Sequence, residues 1–338
     1  MTTASAPAVA ASTGEIIEGV PWYQQTNEWY DGHAALQMVF DFYGPYIDQR
    51  EIGYVTYDVP TLGFSLEDTV RAGHFSDLSV VDVPGCKIVG YTGRGLGYAA
   101  FGYGSSEPWL DGLRALIDQG YPVIVYTWFS LETVGQSDKV PPSLAIGHCL
   151  VVVGYDDTTK EVIVQDPWGR EYKHEADFHG SMMDNPAYDS DFAGTRLGYE
   201  YFNQLWTYST YLAFLITPWH VDIGLSGTGT ELTVTAKVTY PCPAPFNSYQ
   251  YPAQDVQVGI TLPDGLALAP GEPATKDVGG LSAGGTADVT WSVVASHSGS
   301  YGVSVLAQGL VHGYLVSGGT AYTDRIGGEA AASIVVAV

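Results

Sequence analysis

Basic residues are scarce in this chain: 13 Lys and Arg stand against 37 Asp and Glu, a formal net charge of -24. That balance excludes nucleic acid and anionic membrane surfaces as partners, because both are held by a basic face. Cationic and neutral partners remain compatible with it. Cysteine is also rare. Cys86, Cys149 and Cys242 lie far apart without a CxxC pair, which excludes a disulfide framework and a Cys-rich zinc site. Long apolar runs are missing too. Leu205–Trp219, the nearest to one, is interrupted by Thr207, Ser209 and Thr210 and is shorter than the roughly 18 residues of a membrane span. Met1–Glu15 has neither a basic start nor a continuous apolar core, so it does not read as a signal peptide, and residues 1–17 are expected to be a disordered tail. The few basic residues and the 41 glycines and 24 tyrosines suit an extracellular or cell-surface protein whose upstream signal was removed. Without such a signal the expectation is cytoplasmic. Nothing in the sequence sets an oligomeric state.

What is present is enough apolar material, 46% of 338 residues, for two globular domains. The grammar changes near Thr217-Pro218-Trp219. Before it, helical and strand patterns mix. Asp31–Tyr43 carries Ala35, Met38, Val39 and Phe42 on one face and stops at Gly44-Pro45, which predicts a helix. A second helix is predicted over Trp109–Gln119, opened by Ser106 and Pro108 and closed by Gly120. Strands are predicted at Pro122–Trp128, His148–Tyr155 and Glu161–Gln165, the last two joined by the turn Asp156-Asp157-Thr158-Thr159. A helical part followed by a strand part is the α+β pattern.

After Trp219 apolar residues alternate: Leu232, Val234, Ala236 and Val238 form one set, Val256, Val258 and Ile260 another, and Val289, Trp291 and Val293 a third. Alternation predicts half-buried strands. Turn signals at Pro263-Asp264-Gly265, Gly279-Gly280 and Ser298-Gly299 give the rhythm of an immunoglobulin-like β-sandwich. The domains expected are therefore 18–218 and 219–338. The second carries 9 acidic and 3 basic residues against 28 and 10 before it, so the acidity belongs mainly to the first.

Four pieces carry chemistry: Val20-Pro21-Trp22-Tyr23-Gln24-Gln25, Asp31-Gly32-His33-Ala34-Ala35-Leu36, the run from Gly147-His148-Cys149 to Tyr155, and Asp166-Pro167-Trp168-Gly169. In this order and spacing they resemble the C39-like family of papain-like peptidases over residues 18–215. In that family a Gln precedes a nucleophilic Cys that opens a helix, and a strand-borne His pairs with an Asp in a DPWG-type turn. The resemblance implies an α+β papain-like domain in which Gln25 supplies the oxyanion donor, His148 the general base and Asp166 the group that orients its imidazole. Gln24 is an alternative to Gln25, whose assignment rests on its six-residue spacing from Asp31.

The position matching the nucleophile is Asp31, and His33 replaces the Pro that follows it in the family. Cys149 adjoins His148 on a strand, where successive side chains point to opposite faces, so it does not substitute. A helix N-terminus beside an imidazolium makes a thiol a thiolate. The same surroundings would hold a carboxylate ionised and make it a poorer base, an expectation of an inert site. The resemblance then implies a cleft that binds a peptide or glycopeptide without cutting it. Two alternatives stay open: a hydrolase in which Asp31 or a water attacks or in which Asp31 replaces a native Cys, and a non-catalytic adhesive or structural surface protein.

Each residue also has a structural reading. Asp31 is a favoured N-cap worth about 1 kcal/mol; His148 suits a hydrogen-bonded strand start and Asp166 a turn. Asp31, His33, His148 and Asp166 would make a metal set only if they converged, and residues two apart at a helix start do not share a face. No metal and no cofactor is expected. Gly93–Gly104 lacks a P-loop Lys and reads as a mobile surface loop, and His74 as a cap on a helix end. The aromatic residues from Tyr188 and Phe192 through Tyr199, Tyr201, Phe202, Trp206, Tyr208 and Tyr211 read as core and interface packing, or as a groove for peptide or sugar.

Overall fold

The computed structural model of the chain describes residues 13–27, 29–56, 66–83, 86–89, 94–129, 146–168, 194–316 and 319–337. Most of the expected tail lies outside them, but Gly14–Ile16 is a strand, β1. Helices α1 (Asp31–Phe42), α2 (Gln49–Thr56) and α3 (Leu66–Gly73) follow, then a two-stranded ribbon of β2 (Val80–Val83) and β3 (Cys86–Val89). Next come β4 (Ala99–Tyr103), α4 (Leu110–Asp118), β5 (Val123–Phe129), β6 (Ile146–Asp156), β7 (Glu161–Gln165), β8 (Thr195–Gly198), α5 (Tyr199–Thr207) and β9 (Ala213–Thr217). These strands form one antiparallel sheet in the order β4-β9-β5-β6-β7-β8, with β1 added along the end of β6 that β5 leaves unpaired.

The period of two along these strands supplies two cores. Val123, Val125, Leu150, Val152, Val162 and Val164 face one side, against Leu113, Leu116 and Ile117 of α4 and Phe202 and Trp206 of α5. Ile124, Cys149, Val151, Val153 and Ile163 face the other, against Leu36, Met38, Val39 and Phe40 of α1 and Ile52 and Val55 of α2. Each such side chain stabilises the fold by roughly 1.5–3 kcal/mol. The α1 reading needs one correction. Gly32 through Phe40 are all buried, so α1 is a central helix covered on every side rather than one with a single apolar face. Its stop signal holds: Gly44 takes φ 120°, a left-handed value open to glycine.

The second half contains β10 (His220–Thr228), β11 (Glu231–Thr239), β12 (Ala253–Thr261), β13 (Leu266–Leu268), β14 (Thr275–Leu281), β15 (Thr286–Ala295), β16 (Gly299–Leu315) and β17 (Thr320–Val336). They make two antiparallel four-stranded sheets, β10-β11-β15-β13 and β14-β12-β16-β17. The alternating sets of β11, β12 and β15 are buried as read, in one core that includes Trp291 and Val305. The β16–β17 hairpin is longest, paired from Gly299 with Val336 to Leu315 with Thr320.

That hairpin grips the first half. Arg71 of α3 and Asp324 of β17 form an ion pair with side chains 2% and 0% exposed. Asp324 Oδ1 also accepts from Ser79 Oγ at 2.7 Å, and the Arg71 guanidinium lies 4.5 Å over the Tyr322 ring. His74 does not cap its helix with its side chain. Its Nδ1 meets the Tyr322 hydroxyl at 2.9 Å and its ring packs on Tyr251, because the end of α3 is covered by the hairpin. Gly93 lies outside the described residues, but residues 97–102 of the expected surface loop are buried. Ala99–Phe101 of β4 are buried, Gly97 N–H donates to Arg325 O at 2.8 Å, and Gly327 N–H donates to Gly97 O at 3.1 Å. Glycine serves close approach there, since a Cβ on Gly97 would stand 2.2 Å from His74 O.

Removing one partner of a buried ion pair strands the other, so Asp324→Ala is expected to cost about 3–5 kcal/mol in denaturant unfolding. An Arg71→Met/Asp324→Leu double variant is expected to recover most of that loss. A single-variant cost below about 1 kcal/mol would show that the pair does not hold the halves together.

Candidate active site

The site forms where three pieces of chain meet: the start of α1, the start of β6 and the turn after β7. Asp31 is the first residue of α1, and Tyr30, not Asp31, occupies the cap position, without a side-chain cap bond. The capping role expected for Asp31 is therefore corrected. Its Oδ2 reaches across to β6 and accepts the Cys149 backbone N–H at 2.7 Å. The same oxygen lies 3.8 Å from His148 Nδ1. On the other side of the imidazole, His148 Nε2 pairs with Asp166 Oδ1 at 2.8 Å. The ring thus sits between two carboxylates, with Asp166 fully buried and Asp31 17% exposed.

Asp166 is fixed by its own turn. Its Oδ1 accepts the Trp168 N–H at 2.9 Å, and its carbonyl accepts the Trp22 indole N–H at 2.5 Å. Trp168 packs edge-on against the His148 ring at 5.2 Å, and Thr127 Oγ1 donates to His148 O at 2.8 Å. Gln25 is buried and is joined to the same turn through its N–H to Pro167 O at 2.7 Å. Its side-chain Nε2 donates to Asn27 O at 2.9 Å, leaving the second amide hydrogen for another acceptor. Gln24 is less buried and offers its carbonyl to Gln49 Nε2 at 2.9 Å.

That bond belongs to a support the sequence reading missed. Gln49, first residue of α2, also donates to Gln37 Oε1 of α1 and accepts from Thr26 N–H, each at 2.9 Å. The strip Gln24–Thr26 is thereby fastened to both helices. A signal existed: Gln37 is a polar residue between Leu36 and Met38 in an otherwise apolar stretch, and buried polar groups demand partners.

His33 does not join the group. Its ring packs at a tilt against Tyr30, with centroids 4.1 Å apart, and burial lowers its pKa to about 3, so it is neutral. Among the described residues no cluster of three or more His, Cys, Asp or Glu is arranged to hold a metal ion. Of the aromatic series, Phe202, Trp206 and Tyr211 are core and Tyr208 is exposed. Tyr188 and Phe192 lie outside the described residues.

Electrostatics revises one expectation. Burial pushes the Asp31 carboxyl above the usual carboxylate range, against the opposing pull of His148 and the amides of Cys149, Gly32 and Asp31 itself. The helix start does not win, and the carboxylate is a stronger base than one in water. For His148, burial opposes the charge, but the pull of Asp166 and Asp31 together holds its pKa above the ordinary value. Cys149 is pushed far up by burial and by the Asp31 charge, so its thiol stays protonated.

A helix opening at position 31 against an antiparallel sheet that bears a His–Asp pair defines the class: a papain-like peptidase fold. The Peptidase_C39 like family model matches residues 17–190, and the chain belongs to that family. No curated protein matches it. Among solved structures it is similar to xylellain, a cysteine protease from Xylella fastidiosa, with 15% identity over 62% of this chain and 87% of that one and a TM-score of 0.37. It is also similar to the clostridial cysteine protease Cwp84 after propeptide cleavage, with 11% identity over 90% of this chain and 84% of that one and a TM-score of 0.35. At these scores neither likeness bears on the chemistry of the site.

A raised histidine pKa means that the pair's contribution to stability is complete below the unfolded value of 6.5 and is lost as pH rises through the folded one. A proton NMR titration of the His148 ring is expected to give a midpoint above 6.5. Asp166→Asn should lower it. A parent midpoint at or below 6.5 would contradict the pairing.

Proposed function

We propose that the chain is a C39-like peptidase homologue that has lost thiol chemistry, because Asp31 stands where the family carries its nucleophile, and that its cleft binds a peptide or glycopeptide without cleaving it. The observation that carries this reading is the Asp31 carboxylate at the start of α1, 3.8 Å from His148 Nδ1 while Nε2 is held by Asp166. An intact site would attack an amide carbonyl, hold the oxyanion with Gln25 and a backbone amide, and pass the proton through His148. Here the attacking sulfur is missing and the remaining groups are retained. Residues 219–338 are, in this reading, an immunoglobulin-like sandwich, supported by two facing antiparallel sheets with alternating inward residues. If an upstream signal was removed, an extracellular or cell-surface location accompanies it; otherwise the location is cytoplasmic.

One observation favours a second reading, a hydrolase in which Asp31 acts as a base on water: burial raises the pKa of Asp31, which brings a carboxylate nearer to the range of a working base.

Replacing Asp31 with Cys separates the two. Asp31→Cys is expected to gain hydrolysis of a peptide mixture at least about 100-fold above the parent, abolished by iodoacetamide and by His148→Ala. The parent is expected to bind members of a peptide and glycopeptide array without cleaving them. Parent cleavage that is lost in Asp31→Asn would establish the second reading. An inert Asp31→Cys variant, together with an array that captures nothing, would overturn the first.

A further inference from the structure

Gly147 precedes His148, and neither the ion pairs nor the turn described above explains why that position is glycine. Strands β5 and β6 are paired with Tyr126 opposite Cys149, Thr127 opposite His148 and Trp128 opposite Gly147. Residues directly opposite each other in an antiparallel pair project to the same face. Tyr126 therefore shares the face of Cys149, whose amide holds the Asp31 carboxylate.

Its ring leans along β6 into the space left by Gly147. A Cβ built there would stand 1.8 Å from the Tyr126 hydroxyl oxygen, 2.5 Å from Cζ and 2.9 Å from Cε2. No side chain can occupy position 147 while the phenol keeps this place. Tyr126 is partly exposed, packs edge-on with Trp128 at 6.2 Å, and has its backbone fixed at both ends. Its N–H donates to Leu212 O at 3.0 Å, and its carbonyl accepts from Ser209 Oγ. Burial, and after it the Asp31 charge, raise the pKa of its hydroxyl. The phenol remains a neutral donor.

We infer that the Tyr126 hydroxyl is a further ligand-contacting group of this site, a hydrogen-bond donor to the carbonyl oxygen of an acyl group bound over Asp31, and that position 147 is glycine to admit it. The role rests on the function proposed above; the location rests on strand register and the Gly147 gap. A phenol donates one proton and stays neutral throughout, so it marks an amide or ester carbonyl as the group recognised.

Two readouts test location and role separately. In the full chain labelled with 13C at tyrosine Cζ, with Tyr126→Phe identifying the signal, the Tyr126 resonance is expected to shift as Asp31 ionises. Asp31→Asn should remove that inflection. A resonance indifferent to pH, or unchanged by Asp31→Asn, would overturn the location. In the Asp31→Cys background, Tyr126→Phe is expected to lower kcat about tenfold with KM within about twofold, and Gly147→Ala to do the same by displacing the hydroxyl. Unchanged kcat in Tyr126→Phe would overturn the role even if the resonance follows Asp31. An Asp31→Cys variant without any activity would overturn the donor role, and together with an array that captures nothing it would overturn the proposed function as well, while the resonance still decides where the hydroxyl stands.

Discussion

A charge carried out of water must meet its opposite, and Asp324 meets Arg71. Both side chains are buried, so the second half of the chain has essentially one way to sit on the first. Any slip of the β16–β17 hairpin would leave two ions in a low-dielectric seam. The surrounding serines, Tyr322 and the Gly97 backbone bonds make that one placement geometrically sharp. Because α3 also packs on β4, β9 and α2, the ion pair braces the same layer of helices from which α1 presents Asp31.

The site follows a similar logic at smaller scale. Three segments distant in sequence are fastened to one another by backbone groups: Cys149 to Asp31, Pro167 to Gln25, and the Asp166 carbonyl to Trp22. Two of these bonds, at Gln25 and Trp22, do not depend on what chemistry occurs at the imidazole. A carboxylate at the start of α1 fits this frame, since it finds a backbone amide on β6 from which to accept. The electrostatic cost appears instead as a proton held more tightly, by Asp31 on one side of the ring and by His148 itself.

Much of this was legible in the residues. Alternation at Leu232, Val234, Ala236 and Val238 reports a face directly, because burial on a strand is a local property of period two. The order Gln25, Asp31, His148, Asp166 identified three segments that do converge. What failed was non-local. Gly97 read as part of a mobile loop because its crowding comes from His74 and Arg325, far away in sequence. His74 read as a cap because Tyr322 lies 248 residues on. Asp31 read as a cap because helix-start statistics know nothing of the Cys149 amide. The phenol over Gly147 depends on a cross-strand register that composition cannot supply.

The ion pair also sets an order in time. Arg71 and Asp324 are 253 residues apart, so on a ribosome the guanidinium emerges long before its counter-ion is made, a wait on the order of ten to fifty seconds at ordinary elongation rates. During that interval α3 has no partner for its charge and the helical layer of the first half lacks its brace. The half that carries the candidate site can begin to fold first, but it finishes last, when the hairpin arrives.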